Sequence, residues 1–457
     1  MLEGWRFMQT SNTTDAQADY TPWRAAKFYI PLVIQAVSQS LTYPLVASIV
    51  SHGKNGVVDM AALAQGQAVM FMLGAVGSGL LTTGMVFGRD AEGFRMFSRL
   101  NQWVCAVLVV LQALACVHPV DGFIFRGMLG LATPMDTTAR EVLFLSIPMQ
   151  VLFFVRNTSL VALYNARDSA GANWATLARI ALTLVLAPVF VRLGWVGHRM
   201  GVLAMTGPVL LELLLTQWLA RPHIRRLASG GGQSAGLGTQ LLFMIPLSFG
   251  GMLLTIAGLM IGAFIARAAD PARMLPIHYI TIGVINPVGM AALRVQAVTL
   301  AFPPRDKNDR AMARFALAAG GVLALIPLAG QIPAVAQWYF GGIQSLPPED
   351  IPLAMRAALL LATLPVVQSL RGHAEGLAAW RRRPNAILAG QAMNLATLVC
   401  VLFFTLHAGV PGYLMGVIAI DAATLMTLVI IRLGLAWAEM ESTFVGRAPR
   451  GMRGSEG

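Results

Sequence analysis

The sequence predicts an all-α polytopic membrane protein, with twelve transmembrane helices in two six-helix lobes. Three observations predict it. The chain is 56% hydrophobic and 12% charged, with a mean hydropathy of +0.66, whereas soluble domains carry about 25% charged residues. Apolar stretches of roughly 20 residues, long enough to cross hydrocarbon as a helix, recur along the whole length. The chain also repeats itself. Gly194-Trp195-Val196-Gly197-His198-Arg199-Met200-Gly201-Val202-Leu203-Ala204 recurs as Gly409-Val410-Pro411-Gly412-Tyr413-Leu414-Met415-Gly416-Val417-Ile418-Ala419, an offset of 215. Ile30-Pro31-Leu32 recurs as Ile245-Pro246-Leu247 at the same offset, and Arg89-Asp90 as Arg305-Asp306 at 216. A duplication inside a membrane chain points to two lobes with a substrate path between them.

The first six spans are expected near 28–51, 61–87, 99–119, 139–163, 172–192 and 199–220. The second six are expected near 239–267, 274–301, 312–338, 352–378, 384–407 and 412–436. Hydrocarbon offers the backbone no water, so each is read as a helix, and the short alternating segments of a β-barrel are absent. The chain then divides into a cytoplasmic segment (1–27), an N-lobe (28–220), a cytoplasmic linker (221–238), a C-lobe (239–437) and a cytoplasmic tail (438–457). Within the linker, Arg221-Pro222-His223-Ile224-Arg225-Arg226 reads as a basic stop and Ser229–Gly236 as a flexible tether. The first 26 residues lack the apolar core of a cleavable signal, and the tail after about 438 is expected to be disordered.

Net charge is +12 and the pI is about 10.4. The basic residues gather in alternate loops. One side carries Arg24 and Lys27, Arg89, Arg95 and Arg99, Arg167, Arg225 and Arg226, Arg305 and Arg310, and Arg381-Arg382-Arg383; the other side carries roughly half as many. That asymmetry reads as membrane orientation rather than nucleic-acid binding, with both termini cytoplasmic and the two halves parallel. Three lysines against thirty arginines suggest a GC-rich bacterium, hence a bacterial inner membrane. No phosphate-binding Gly-x4-Gly-Lys-Ser/Thr loop, nucleophile motif or metal spacing occurs, so no enzyme and no cofactor is expected. Cys105, Cys116 and Cys400 read as small apolar packing residues.

Polar and ionisable residues inside spans are costly, and each is a site candidate. Gln35, Ser38, Gln39 and Thr42 share one face of the first span, either lining a cavity or bonding a neighbouring helix. Arg156 and Asn157 lie deep in the fourth span, where a cation needs water, an acid or an anionic substrate. The eighth span carries His278, Asn286, Arg294 and Gln296, and its Pro287-Val288-Gly289 reads as an unwound or kinked segment beside a cavity. The tenth holds Arg371, His373 and Glu375, which are either a proton relay or substrate contact, or a neutral Arg371–Glu375 pair at i, i+4. Glu375, Asp421 and Glu212 are the coupling candidates, with Asp421 well inside its span. Arg179, in the fifth span, is a partner for one of them. Gly197 and Gly412, equivalent in the repeat, join Pro287 and Gly289 as backbone hinge candidates. His118, His198 and His407 read as interfacial.

These residues resemble the progressive ankylosis (ANK) family of the multidrug/oligosaccharidyl-lipid/polysaccharide exporter (MATE-like, MOP) superfamily. Gly194-x-x-Gly197 and Gly409-x-x-Gly412, each before a lobe's last span, look like that superfamily's repeated motif. Arg371-Gly372-His373-x-x-Gly376 followed by Arg381-Arg382 looks like the ANK tenth span. Pro287-Val288-Gly289, Ile30-Pro31-Leu32 and Gly84-Met85-Val86-Phe87 also fit. The resemblance implies a V of two lobes and export of anions such as pyrophosphate, citrate and nucleotides. The chain departs from the family after Gly289, where an acidic residue beside the arginine is missing.

The intramembrane inventory leans basic, and guanidinium groups suit carboxylates and phosphates. The leading expectation is therefore a secondary transporter exporting an anionic solute by alternating access, coupled to a proton or sodium, with lipid as its surroundings. The alternatives are a lipid or lipid-linked saccharide flippase, a cation-coupled multidrug antiporter, a major facilitator, whose span 2–3 loop Gly88-Arg89-Asp90-x-x-Gly93-x-Arg95 faintly resembles, and a non-transporting scaffold.

Overall fold

The structure is a computed structural model that describes residues 20–39, 42–54, 56–129, 131, 133–227, 235–302, 310–344 and 346–446. Its elements are helices: α1 (Pro22–Gln39), α2 (Thr42–Ser51), α3 (Gly56–Gly74), α4 (Leu80–Phe87), α5 (Ala91–Ala115), α6 (Met135–Leu145), α7 (Ile147–Asn165), α8 (Ser169–Arg192) and α9 (His198–Arg225). The second half holds α10 (Leu237–Ile265), α11 (Pro271–Leu293), α12 (Val295–Ala301), α13 (Arg310–Ala329), α14 (Ile351–Leu360), α15 (Leu364–Trp380), α16 (Pro384–His407) and α17 (Gly412–Gly446). Eleven helical stretches among the described residues are long and apolar enough to cross a membrane. The first expected span is the α1–α2 pair. Large apolar side chains such as Trp103, Val110, Trp174, Leu184, Leu242 and Phe404 are exposed on the outer faces, which hydrocarbon solvates and water does not.

Several boundaries differ from expectation for identifiable reasons. α5 begins at Ala91, eight residues early, because Asp90 caps it: its carboxylate accepts from Gly93 N at 2.8 Å. Arg95 and Arg99 therefore sit on helix, where their stems can run along apolar surface. α13 ends at Ala329, since a turn and Pro333 follow. The basic stop after 221 is helical to Arg225, and α17 continues to Gly446 rather than ending near 438. The segment 1–19, most of the tether (228–234) and 447–457 lie outside the described residues. Pro287-Val288-Gly289 is not unwound. α11 runs through Pro276 and Pro287, and the interruption comes at Arg294, between α11 and α12. Cys400 is exposed on α16 rather than packed.

The repeat has a physical basis. Gly194 and Gly409 have φ of +71° and +67°, the left-handed conformation that ends a helix without a Cβ clash. In both copies the next residue bonds back into the last turn: Trp195 N to Phe190 O at 2.9 Å, and Val410 N to Thr405 O at 3.0 Å. Two π-helical turns, Gly122–Met128 and Gln337–Ile343, occupy equivalent positions and bury Phe125 and Phe340.

The two halves meet at one end of the molecule. The largest apolar core draws Phe28, Phe87 and Leu163 from the first half and Leu247, Val295 and Phe302 from the second. The other cores belong to one half each, for example Val46, Leu63 and Met205, or Ile277, Phe340 and Leu361. The joined end carries the arginine-rich loops, and arginines fasten it. Arg167 lies over the Phe302 ring at 4.9 Å and donates from Nε to Ala301 O at 3.1 Å. Arg382 lies over the Phe87 ring, also at 4.9 Å. These are one contact made twice, since both the arginines and the rings are 215 residues apart. Arg167 and Arg382 share a positive φ, 61° and 55°. Arg89 adds a bond to Leu300 O at 2.6 Å and stacks on Trp380. Burial, then the nearby charge of Arg167, pull its guanidinium down to about 10.

A cation–π contact contributes about 0.5–2 kcal/mol. Phe87→Leu with Phe302→Leu keeps apolar volume and weakens both ring contacts. Spin labels, one per half at this end, should then show a separated population at least about tenfold larger. An unchanged distance distribution would mean that the rings do not hold the halves together.

Candidate functional site

The first half lines a half-open cavity of about 400 Å³, the size of a small-molecule site. Its polar wall is Thr42, Ser78, Gln150, Arg156, Asn157 and Arg179, and its apolar wall includes Phe71, Met149, Phe153, Phe154 and Met205. Arg156 and Asn157 come from α7, Arg179 from α8 and Thr42 from α2.

Behind the cavity lies a hydrogen-bonded chain across four helices. Tyr164 donates to Gln35 Oε1 at 2.9 Å, and Gln35 Nε2 donates to Thr176 Oγ1 at 3.0 Å. Thr176 donates to Glu212 Oε1 at 2.7 Å. Glu212 Oε2 then receives two guanidinium groups, Arg156 Nη1 at 2.6 Å and Arg179 Nη1 at 3.0 Å. The Glu212 side chain is 0% exposed and Arg156 is 12% exposed, toward the cavity. Among the described residues, Nε of both arginines has no hydrogen-bond partner. Arg156 also stacks over Phe153 at 5.0 Å. One buried carboxylate thus faces two cations, which leaves a positive charge unbalanced in a low-dielectric wall.

The second half carries the same seam with its charge removed. The residues 215 later than Thr176, Arg179 and Glu212 are Gln391, Asn394 and Thr427, and Asn394 Nδ2 donates to Thr427 Oγ1 at 3.0 Å. The position of Gln35 is Gly250, where an added Cβ would lie 1.5 Å from Gln391 Oε1. Arg371 stands where Arg156 stands, but position 427 offers no acid. It turns to its own helix and meets Glu375 at 2.8 Å, both buried. His373 accepts at Nδ1 from Arg432 Nη2 at 2.9 Å.

The sequence candidates therefore do not share one space. Arg156 and Asn157 line the main cavity, with Gln35 and Glu212 behind it. Arg294 and Gln296 border a separate crevice of about 120 Å³ with Thr82 and Met290, between the halves, and Gln296 reaches Thr82 at 3.5 Å. Arg371, His373 and Glu375 lie in the packed interior of α15 and line neither space. Asp421 accepts from Thr363 at 3.2 Å, away from both cavities. The side chain of Gln39 lies outside the described residues. An added Cβ on Gly289 would meet nothing within 4 Å; Gly197 has φ +94°, and Gly412 packs against Ile265 and Met274. Arg432 and Gln150 were missed, being single polar residues in apolar runs. His198 is more than interfacial: it bridges Asp59 and Glu141 at 3.2 and 3.1 Å. Among the described residues no group is arranged to hold a metal ion.

The chain matches no protein-family model and no curated protein. Solved structures do match. A multidrug-resistance MATE transporter of the MOP superfamily in an outward-facing conformation superposes with a TM-score of 0.73 at 17% identity, covering 96% of this chain and 100% of its own. A MOP superfamily transporter from Pyrococcus furiosus, whose reversed binding-pocket polarity suggests a different function, gives 0.72 at 18%, with the same coverage. A eukaryotic MATE transporter gives 0.68 at 16%, covering 93% and 99%. The chain is thus a polytopic membrane protein with the fold of the MATE transporters.

Removing Arg371 would strand the buried Glu375 carboxylate. Arg371→Ala should lower stability by about 3–5 kcal/mol, read as thermal unfolding in detergent, and Arg371→Ala with Glu375→Ala should recover much of the loss. A double variant as unstable as the sum of the singles would sink the paired reading.

Proposed function

We propose that the protein is a secondary transporter that exports an anionic solute, a carboxylate or phosphate compound, by alternating access between its two halves. The observation that carries this reading is the pair of guanidinium groups on one carboxylate at the cavity wall. An unbalanced buried cation attracts an oxyanion and repels a cation, and Arg156 is partly exposed to the cavity. Access would alternate by rocking of the halves about the arginine-fastened end, with Arg294 and Gln296 in the crevice that this rocking would reshape. On the same reading that end faces the cytoplasm of a bacterial inner membrane, and the transporter is of the ANK type. Asp421 is the coupling candidate outside the cavity, for a proton or sodium.

The multidrug antiporter is the second reading, favoured by the likeness in fold to multidrug-resistance transporters. Proteoliposomes loaded with labelled citrate, pyrophosphate, benzoate or the cation ethidium separate the two. A charge-assisted hydrogen bond contributes about 1.5–3 kcal/mol, so anion efflux by Arg156→Gln should be at least tenfold slower than by wild type. Efflux of ethidium alone, unaffected by Arg156→Gln, would replace the anion reading with the antiporter.

A further inference from the structure

We infer that the cavity selects an organic monoanion with an apolar body, and that Glu212 is the residue that sets the charge it accepts. The inference rests on the anion-transport reading and goes on to name the class of anion.

Charge is counted by the Arg156–Glu212–Arg179 group. Both arginines meet the same oxygen of Glu212, and the other oxygen is taken by Thr176. The carboxylate is therefore fully used and sealed from the cavity, with a 0% exposed side chain. It cancels one guanidinium and leaves the equivalent of one. Arg156 carries that remainder to the cavity wall. Its Nη1 is committed to Glu212, its buried Nε has no partner among the described residues, and 12% of the side chain is exposed. A carboxylate in the cavity can meet the exposed part of that guanidinium. One such ligand charge balances the site, and a second would be buried without a counterpart.

The rest of the wall describes the rest of the ligand. Phe71, Met149, Phe153, Phe154, Met205 and Val209 line the same space. Aromatic rings and thioethers pack against apolar and aromatic bodies, and the polar groups beside them, Thr42, Ser78, Gln150 and Asn157, are neutral and offer a second ligand charge no counter-ion. Citrate and pyrophosphate meet the arginine well and this wall badly. An aryl or branched alkyl carboxylate satisfies both.

The measurement is calorimetric binding to the purified full chain, with naphthoate, a naphthalenedicarboxylate, neutral naphthamide and citrate as probes. Naphthoate should bind wild type at least tenfold more tightly than each of the other three. Glu212→Gln keeps the shape but adds one positive charge to the site, so it should reverse the order of naphthoate and the dicarboxylate. Arg179→Gln leaves no net charge and should bring naphthoate and naphthamide within a few-fold of each other. Citrate or the dicarboxylate binding wild type more tightly than naphthoate would overturn the monoanion and leave the anion reading standing. The same ligand order in wild type and both variants would overturn the role of Glu212. Naphthamide binding wild type as tightly as the carboxylate, with Arg156→Gln without effect, would remove the anion reading itself.

Discussion

A carboxylate with no access to water has to be paid for by its neighbours, and Glu212 is paid for twice. Two guanidinium groups and a threonine hydroxyl surround it, and they fix three helices at one point. Thr176 and Arg179 place α8, Arg156 places α7 and Glu212 places α9. Gln35 and Tyr164 extend the arrangement to α1. In hydrocarbon the helices gain little from hiding apolar surface, because lipid is as apolar as leucine. Directional polar contacts of this kind therefore specify where the helices stand, and the cavity is the space that their placement leaves open.

The second half shows what the same backbone does without that charge. Asn394 and Thr427 hold the corresponding helices with one neutral hydrogen bond, and Gly250 lets Gln391 approach closely. Neutral pairs need no counter-ion. The duplication supplied two equivalent scaffolds, and substitution at a few interior positions made them chemically unequal.

The fold was largely legible in the sequence. Composition announced the membrane, apolar length marked the spans, and Gly194 and Gly409 marked the helix ends because their backbone conformation excludes a Cβ. The site was legible only in part. Arg156, Asn157, Gln35 and Glu212 were visible as costly polar residues, but which of them meet is a matter of helix rotation, and hydropathy does not report rotation. Arg371 looked as strong as Arg156 in sequence; it differs because the nearest acid is one turn away on its own helix. Pro287 suggested an opening, yet a proline forfeits one backbone bond and a packed helix absorbs that loss. Arg432 escaped notice because a lone arginine in an apolar run has no pattern around it.

The exchanged arginine–phenylalanine contacts have the form of an isologous interface, in which residue i of one unit meets residue j of the other and j meets i. Here the two units are halves of one polypeptide. Arg167 and Phe302 form one arm, and Arg382 and Phe87 the other. The closed end is thus held redundantly. A lesion in either arm leaves an equivalent grip on the opposite side of the axis, so a single substitution halves this part of the fastening without abolishing it. Each half is then free to diverge inside its own bundle while the seam between them keeps its symmetry.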